Sequence, residues 1–109
     1  MIVSAWNGHN NNAGYGIRVS CADRDKYFSK EWKCIQIKVA DGSEITCKLA
    51  ASFWNTCREI RSNALQGWFI ELGHTRKTQG GWERTWEKGK PPKFHLRQIS
   101  GNRFTLNTK

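Results

Sequence analysis

KCIQIKVADGSEITCKL, residues 33–49, consists of two runs in which apolar and polar side chains alternate. Such alternation is typical of β-strands that have one buried face. The pair Asp41-Gly42 separates the runs, and an Asp-Gly pair in this position is the strongest short-range signal for a β-hairpin. This stretch therefore predicts an antiparallel hairpin. Its inner face is formed by Ile35, Ile37, Val39, Ile45, Cys47 and Leu49.

Further short strands are expected on both sides of this hairpin. Residues 1–5 form an apolar run, and residues 15–20 alternate with Tyr15, Ile17 and Val19 on one face. Near the end of the chain, residues 94–99 and 103–106 predict a closing hairpin. The sequence therefore contains at least five short strands.

The segments between the strands are less uniform. Residues 22–29 and 63–72 predict two short helices, whereas residues 50–62 are compatible with a loop or a short helix. Residues 74–93 are polar and basic and are expected to form a long loop. Because a sheet that closes on itself leaves few exposed edges, we expect a mainly β fold with two short helices, arranged as a small open β-barrel.

Length and composition indicate one domain over residues 1–109. Six Trp, five Phe and two Tyr supply enough aromatic surface for a core. The four cysteines form no Cys-x-x-Cys pair, so a zinc ribbon is not expected. With no signal peptide and no long apolar run, we expect an intracellular protein of the cytoplasm or nucleus and no membrane partner.

The charge of the chain favours a polyanionic partner. The formal net charge is +9, and residues 76–109 carry nine Lys and Arg against two Glu, a net charge of +7. A strongly basic surface attracts nucleic acid because neutralised phosphates release their counterions. The charge therefore predicts a nucleic-acid-binding domain.

Two segments carry side chains that can read bases. The first arm, residues 8–18, is rich in Gly and Asn, and the second arm, residues 52–61, combines Trp54 and Asn55 with Arg58 and Arg61. Asn and Arg form paired hydrogen bonds with adenine and guanine edges in the major groove of DNA. Each arm adjoins a predicted strand, which would hold it in place.

The order of these segments resembles the B3 DNA-binding domain of plant transcription factors and the B3-like recognition domains of some restriction enzymes. The similarity is carried by GYGIRVS (14–20), ADRDKYF (22–28), the Asp-Gly hairpin, SFWN (52–55) and ALQGWF (64–69). The family often has a Leu-x-x-Gly-Asp turn before its late strands, where this chain has KGKPPK (88–93). The resemblance implies a seven-stranded DNA-binding pseudobarrel whose two arms enter the major groove of double-stranded DNA.

The arms and the basic segment supply the candidate contact residues. Base edges are expected to meet the amide and guanidinium groups, and phosphates are expected to meet Arg18 and the lysines. The candidate DNA-binding residues are Asn11, Asn12, Gly14, Tyr15, Arg18, Trp54, Asn55, Thr56, Arg58, Arg61, Lys88 and Lys90.

Two alternatives stay open. Trp82 and Trp86 in the basic segment could stack on unpaired bases, which favours a small barrel that binds RNA or single-stranded nucleic acid. The charge could instead serve an acidic protein partner. Catalysis has little support, because His9, His74 and His95 are far apart in the chain and no carboxylates cluster beside them. We therefore expect no enzymatic activity, no metal, no cofactor and no small-molecule substrate.

Overall fold

A computed structural model describes residues 1–7, 14–40, 42–55 and 58–108 of the chain. Nine strands and two α-helices occur in this described part, together with a 3₁₀ turn at Ala51–Trp54. The strands are β1 (Ile2–Asn7), β2 (Tyr15–Arg18), β3 (Cys34–Val39), β4 (Glu44–Lys48), β5 (Glu59–Arg61), β6 (Thr75–Thr78), β7 (Gly81–Arg84), β8 (Lys93–Ser100) and β9 (Arg103–Thr108). The helices are α1 (Cys21–Tyr27) and α2 (Asn63–Glu71).

Seven strands form one mixed sheet in the order β4-β3-β9-β8-β1-β2-β5. Neighbouring strands are antiparallel except β3 and β9, which are parallel. The sheet curls until its edge strands β4 and β5 approach each other, and a single unsealed seam separates them. The small open β-barrel expected from the sequence is therefore confirmed.

The hairpin expected at residues 33–49 is present as the antiparallel pair β3–β4. Ile35 pairs with Cys47 and Ile37 with Ile45, and all four side chains are buried. Asp41 lies outside the described residues, but Gly42 has a φ of 93°, a conformation that suits glycine in a tight turn. Alternation along the chain thus identified both the strands and the face that they bury.

Aromatic and branched side chains fill the barrel. Phe28 stacks on Phe104 with ring centroids 5.1 Å apart, and Phe69 stacks on Phe94 at 5.7 Å. Contacts of this kind stabilise a core beyond the apolar area that they bury. The largest fully buried side chains are Tyr15, Phe53, Phe69, Phe94, Phe104, Ile17, Ile35, Ile37, Ile60, Leu65, Leu96 and Leu106.

Both predicted helices are present and begin at serine caps. The Ser20 hydroxyl accepts a hydrogen bond from the Asp23 amide at 3.1 Å, and the Ser62 hydroxyl accepts one from the Ala64 amide at 3.3 Å. These bonds satisfy amide groups that the first helical turn leaves without partners. Neither helix in the described part of the chain is long and apolar enough to cross a membrane.

The expectation of a long loop over residues 74–93 is wrong. Its first half forms an antiparallel hairpin, β6–β7, with Thr75 paired to Arg84 and Thr78 to Gly81. The hairpin is a separate two-stranded sheet whose outer side chains are largely polar, so its strands lack the apolar alternation that marks a half-buried strand. The Thr75 hydroxyl attaches it to the barrel through a buried hydrogen bond of 2.6 Å with the Tyr15 hydroxyl.

Strand β5 was also not anticipated within residues 50–62. It has only three residues, and only Ile60 among them is buried. A pattern this short carries little periodic information. Its pairing with β2 nevertheless places residues of the two arms side by side on one surface.

Candidate nucleic-acid interface

The register of β1, β2 and β5 decides which side chains face outward. Ala5 pairs with Ile17, Ile17 pairs with Ile60, and all three are buried in the barrel. Successive side chains in a strand point to opposite faces. The neighbours of these three residues along each strand therefore lie on the outer face of the sheet.

The first outer row joins Trp6, Gly16 and Arg61. Gly16 pairs with Trp6 on one side and with Arg61 on the other. Since Gly16 has no side chain, the Arg61 guanidinium can reach across it, and its Cζ lies 4.7 Å from the centroid of the Trp6 ring. This is a cation–π contact, which holds the guanidinium against an aromatic surface.

The second outer row joins Ser4, Arg18 and Glu59. Arg18 pairs with both of the others across the ladder, and its Nη2 lies 3.4 Å from Oε1 of Glu59. Half of the Arg18 side chain is exposed, whereas the Glu59 side chain is only 8% exposed. The Ser4 hydroxyl accepts a hydrogen bond of 2.7 Å from Lys93. This row therefore contains one exposed cation beside one nearly buried carboxylate.

The β6–β7 hairpin and the segment after it line the opposite side of a groove. Arg84 donates a hydrogen bond of 3.4 Å to Oδ1 of Asn7. Trp86 packs on the core through an edge contact with Phe69 at 6.5 Å and also lines the groove. We call this space, of about 690 Å³, the basic groove. It is lined by Ala5, Trp6, Asn7, Arg18, Glu59, Arg61, Arg84, Trp86, Lys88, Gly89 and Pro91.

The electrostatics of the basic groove favour an anion. Four of its lining side chains are cationic and one, Glu59, is anionic. Like charges that share a concave surface reinforce one another, since the low-dielectric protein around them screens poorly. With two tryptophans among the same residues, the groove offers charge for phosphates and flat apolar surface for bases.

Three predicted site residues meet in the basic groove, namely Arg18, Arg61 and Lys88. They come from both arms and from the basic segment, which are far apart in the sequence. Lys90 lies beside the groove and forms an exposed ion pair of 3.3 Å with Glu87. The groove is thus the place where residues of both arms and of the basic segment converge.

The first arm is described only in part. Asn11 and Asn12 lie outside the described residues. Gly14 has a φ of 99°, a left-handed conformation that favours glycine. The Tyr15 side chain is 2% exposed and bonds to Thr75, so it supports the groove from the core and does not form part of the surface.

The first part of the second arm, up to Arg58, forms a separate surface beside α1. Trp54 is half-buried, and the Arg24 and Lys30 cations lie 5.7 and 6.0 Å from its ring. Asn55 is exposed, and Arg58 is half-buried with its Nη1 3.2 Å from the Cys21 sulfur. Thr56 lies outside the described residues. None of the described residues in this cluster lines the basic groove.

Sequence reasoning missed Trp6 and Arg84. Trp6 lies in the same strand as Val3 and Ala5 but alternates with them, so its side chain lies on the outer face of the strand. A tryptophan at an outward-facing strand position was the sequence feature that could have identified it. Arg84 carried no comparable signal, because its position depends on the β6–β7 hairpin. Only the tertiary structure brings it to Asn7.

Two groups with displaced pKa values lie away from the groove. Burial raises the pKa of the Cys47 thiol to about 11. Burial lowers the pKa of His74, whose ring packs against Phe69 and Phe94 with centroids 6.5 and 5.8 Å away. Both displacements follow from desolvation by burial, which is partial for His74.

A scan against protein-family models, a search of curated proteins and a search of solved structures all find no match to this chain. Within the described ranges, no three His, Cys, Asp or Glu side chains are grouped so that they could hold a metal ion. Interpretation of the site therefore depends on the geometry and charge of the basic groove.

Proposed function

We propose that this domain binds double-stranded DNA without catalysing a reaction, using the basic groove for phosphates and the two arms for base edges. The observation that carries the proposal is the convergence of Arg18, Arg61, Arg84 and Lys88 in one groove. Phosphate contacts supply most of the affinity in protein–DNA complexes and set the register of the protein on the duplex. The B3-like resemblance noted in the sequence agrees with this assignment.

The spacing of the arms supports a duplex ligand. The first arm enters β2 at Tyr15, and the second arm enters β5 at Glu59, which pairs with Arg18 at the other end of β2. Four strand residues span roughly 10 Å at about 3.3 Å per residue. The major groove is about 12 Å wide, so two segments this far apart could approach base edges from both sides.

The tryptophans favour a second candidate, single-stranded nucleic acid. Trp6 and Trp86 both line the basic groove and are only partly buried. Unpaired bases stack on aromatic side chains with about 1–3 kcal/mol per base, and such stacking is not available to bases inside a duplex. The same groove could therefore follow the backbone of one strand.

The test is the salt dependence of binding to a labelled duplex, measured by fluorescence anisotropy between about 50 and 200 mM salt. If all four cations neutralise phosphates, the slope of log K against log salt is about −3.6, and affinity falls roughly 150-fold over this range. A matched single strand measured in parallel ranks the two candidates.

Lys88→Ala provides the site-specific comparison. It should weaken binding to every sequence alike and reduce the magnitude of the slope by about 0.9. Lys38→Ala is the matched control, since Lys38 is exposed on β3, away from the groove. Equal slopes for the two variants, or no salt-dependent binding of either ligand by the native protein, would overturn the proposal.

A further inference from the structure

The basic groove contains a carboxylate that phosphate binding does not explain. Glu59 lines the groove with a side chain that is 8% exposed, and a carboxylate repels phosphate. Its one ion pair in the described part of the chain is the 3.4 Å contact between its Oε1 and Arg18. Because an ionised carboxylate only accepts hydrogen bonds, a ligand that uses it must present N–H or O–H donors.

Aromatic surfaces lie in the same groove. Trp6 lies in the outer row next to that of Glu59, and Trp86 lines the opposite side. A volume of about 690 Å³ falls within the range of small-molecule sites, roughly 300–1,000 Å³. The groove therefore has room for a nucleotide, with an aromatic surface for its base and cations for its phosphate.

The donor pattern of the bases selects one of them. Guanine presents two adjacent donors, N1–H and the N2 amino group, on the edge that it uses for pairing. Adenine and cytosine present one amino donor beside a ring acceptor, and thymine and uracil present one donor between two carbonyl oxygens. A carboxylate can accept from both guanine donors at once, whereas the acceptors of the other bases would face its negative charge.

We propose that the basic groove holds one unpaired guanine, stacked on tryptophan and read by Glu59 through its N1–H and N2 amino donors. This inference rests on the proposed nucleic-acid binding and names the base that the groove accepts. The guanine comes either from a single strand or from a duplex in which it is unpaired. A base that has lost its partner is the least costly to take out of a duplex.

The experiment uses nine-nucleotide oligothymidylates with one central substitution, at a salt concentration where binding is measurable. The oligonucleotide with central guanine should bind at least about tenfold more tightly than those with central adenine or cytosine. This factor lies within the roughly 5- to 150-fold range expected of a good paired contact. Central inosine, which keeps N1–H but lacks the N2 amino group, should lie between them. A second ligand set places guanine or adenine opposite an abasic site in a duplex and identifies the duplex source.

Glu59→Gln tests the reading residue. Its amide can no longer accept both donors, so affinity for central guanine should fall and the guanine preference should disappear, while affinity for the oligonucleotides without guanine rises because a negative charge has been removed. Glu44→Gln is the matched control, since Glu44 lies on the other edge strand, β4, and forms an ion pair of the same 3.4 Å length with Arg103 of β9. It should keep the guanine preference of the native protein.

The outcomes separate this inference from the proposed function. Salt-dependent binding with equal affinities for the central bases in both ligand sets, or an unchanged preference in Glu59→Gln, overturns the guanine site and leaves nucleic-acid binding in place. Absence of binding to every ligand overturns both. Guanine preference in the single strands or in the abasic duplex, lost in Glu59→Gln and kept in Glu44→Gln, supports the site.

Discussion

A methyl group added at Gly16 should disrupt the pairing of β2 with β5 and so distort the basic groove. A Cβ built on Gly16 would lie 2.3 Å from the carbonyl oxygen of Ile60, a distance that real Cβ atoms do not reach. Relief to even 3.0 Å, still a tight contact, requires β2 and β5 to separate by about 0.7 Å. The obstacle is backbone, which cannot swing aside as a flexible side chain could.

Separation of the strands stretches the hydrogen bonds on both sides of Gly16. The Val19 amide donates to the Arg58 carbonyl and the Ser62 amide donates to the Tyr15 carbonyl, both at 3.0 Å. Overpacking costs about 1–3 kcal/mol, and each weakened bond adds up to about 1 kcal/mol. We expect Gly16→Ala to lower the free energy of unfolding by about 2–4 kcal/mol.

Urea denaturation measures this change. With an m-value of about 1.5 kcal/mol/M, the midpoint should fall by roughly 1.3–2.7 M. Gly67→Ala is the matched control, because Gly67 lies within α2 and a Cβ there would meet nothing within 4 Å. Alanine should stabilise this helix by about 0.5–1 kcal/mol. Midpoints that move in the same direction for both variants would refute the steric argument.

Two further predictions concern buried polar groups. Tyr15→Phe should lower the free energy of unfolding by about 0.5–1.5 kcal/mol, because it removes the hydrogen bond to Thr75. The Thr75 hydroxyl keeps its 2.9 Å bond to the Glu83 carbonyl. A urea midpoint equal to that of the native protein would contradict this expectation. The raised pKa of Cys47, about 11 against an ordinary 9.0, means that the unfolded chain loses the thiol proton first. Stability from this group is therefore complete below about pH 9 and is lost as pH rises through 11, by about 3 kcal/mol. Cys47→Ala should show a correspondingly shallower decline of the urea midpoint.

The strands of the barrel were largely predictable because each buries one face. Ile35, Ile37 and Val39 alternate with polar neighbours, and this period of two identifies both strand and core face without tertiary information. The β6–β7 hairpin was not predictable in this way, since it lies outside the barrel and its outer side chains are mostly polar. It is attached to the barrel through the buried contact between Tyr15 and Thr75 and through the bond of Arg84 to Asn7.

The candidate site, like the fold, was predictable from the sequence only in part. The sequence by itself determined a basic, aromatic-rich β domain and the identities of Arg18, Arg61 and Lys88, since charge and residue type are visible in the chain. Only the tertiary structure decided that these three share a groove with Trp6 and Glu59. The physical reason is that outward-facing residues have no burial pattern of their own, and their neighbours are decided by strand register and by the hairpin that packs over them.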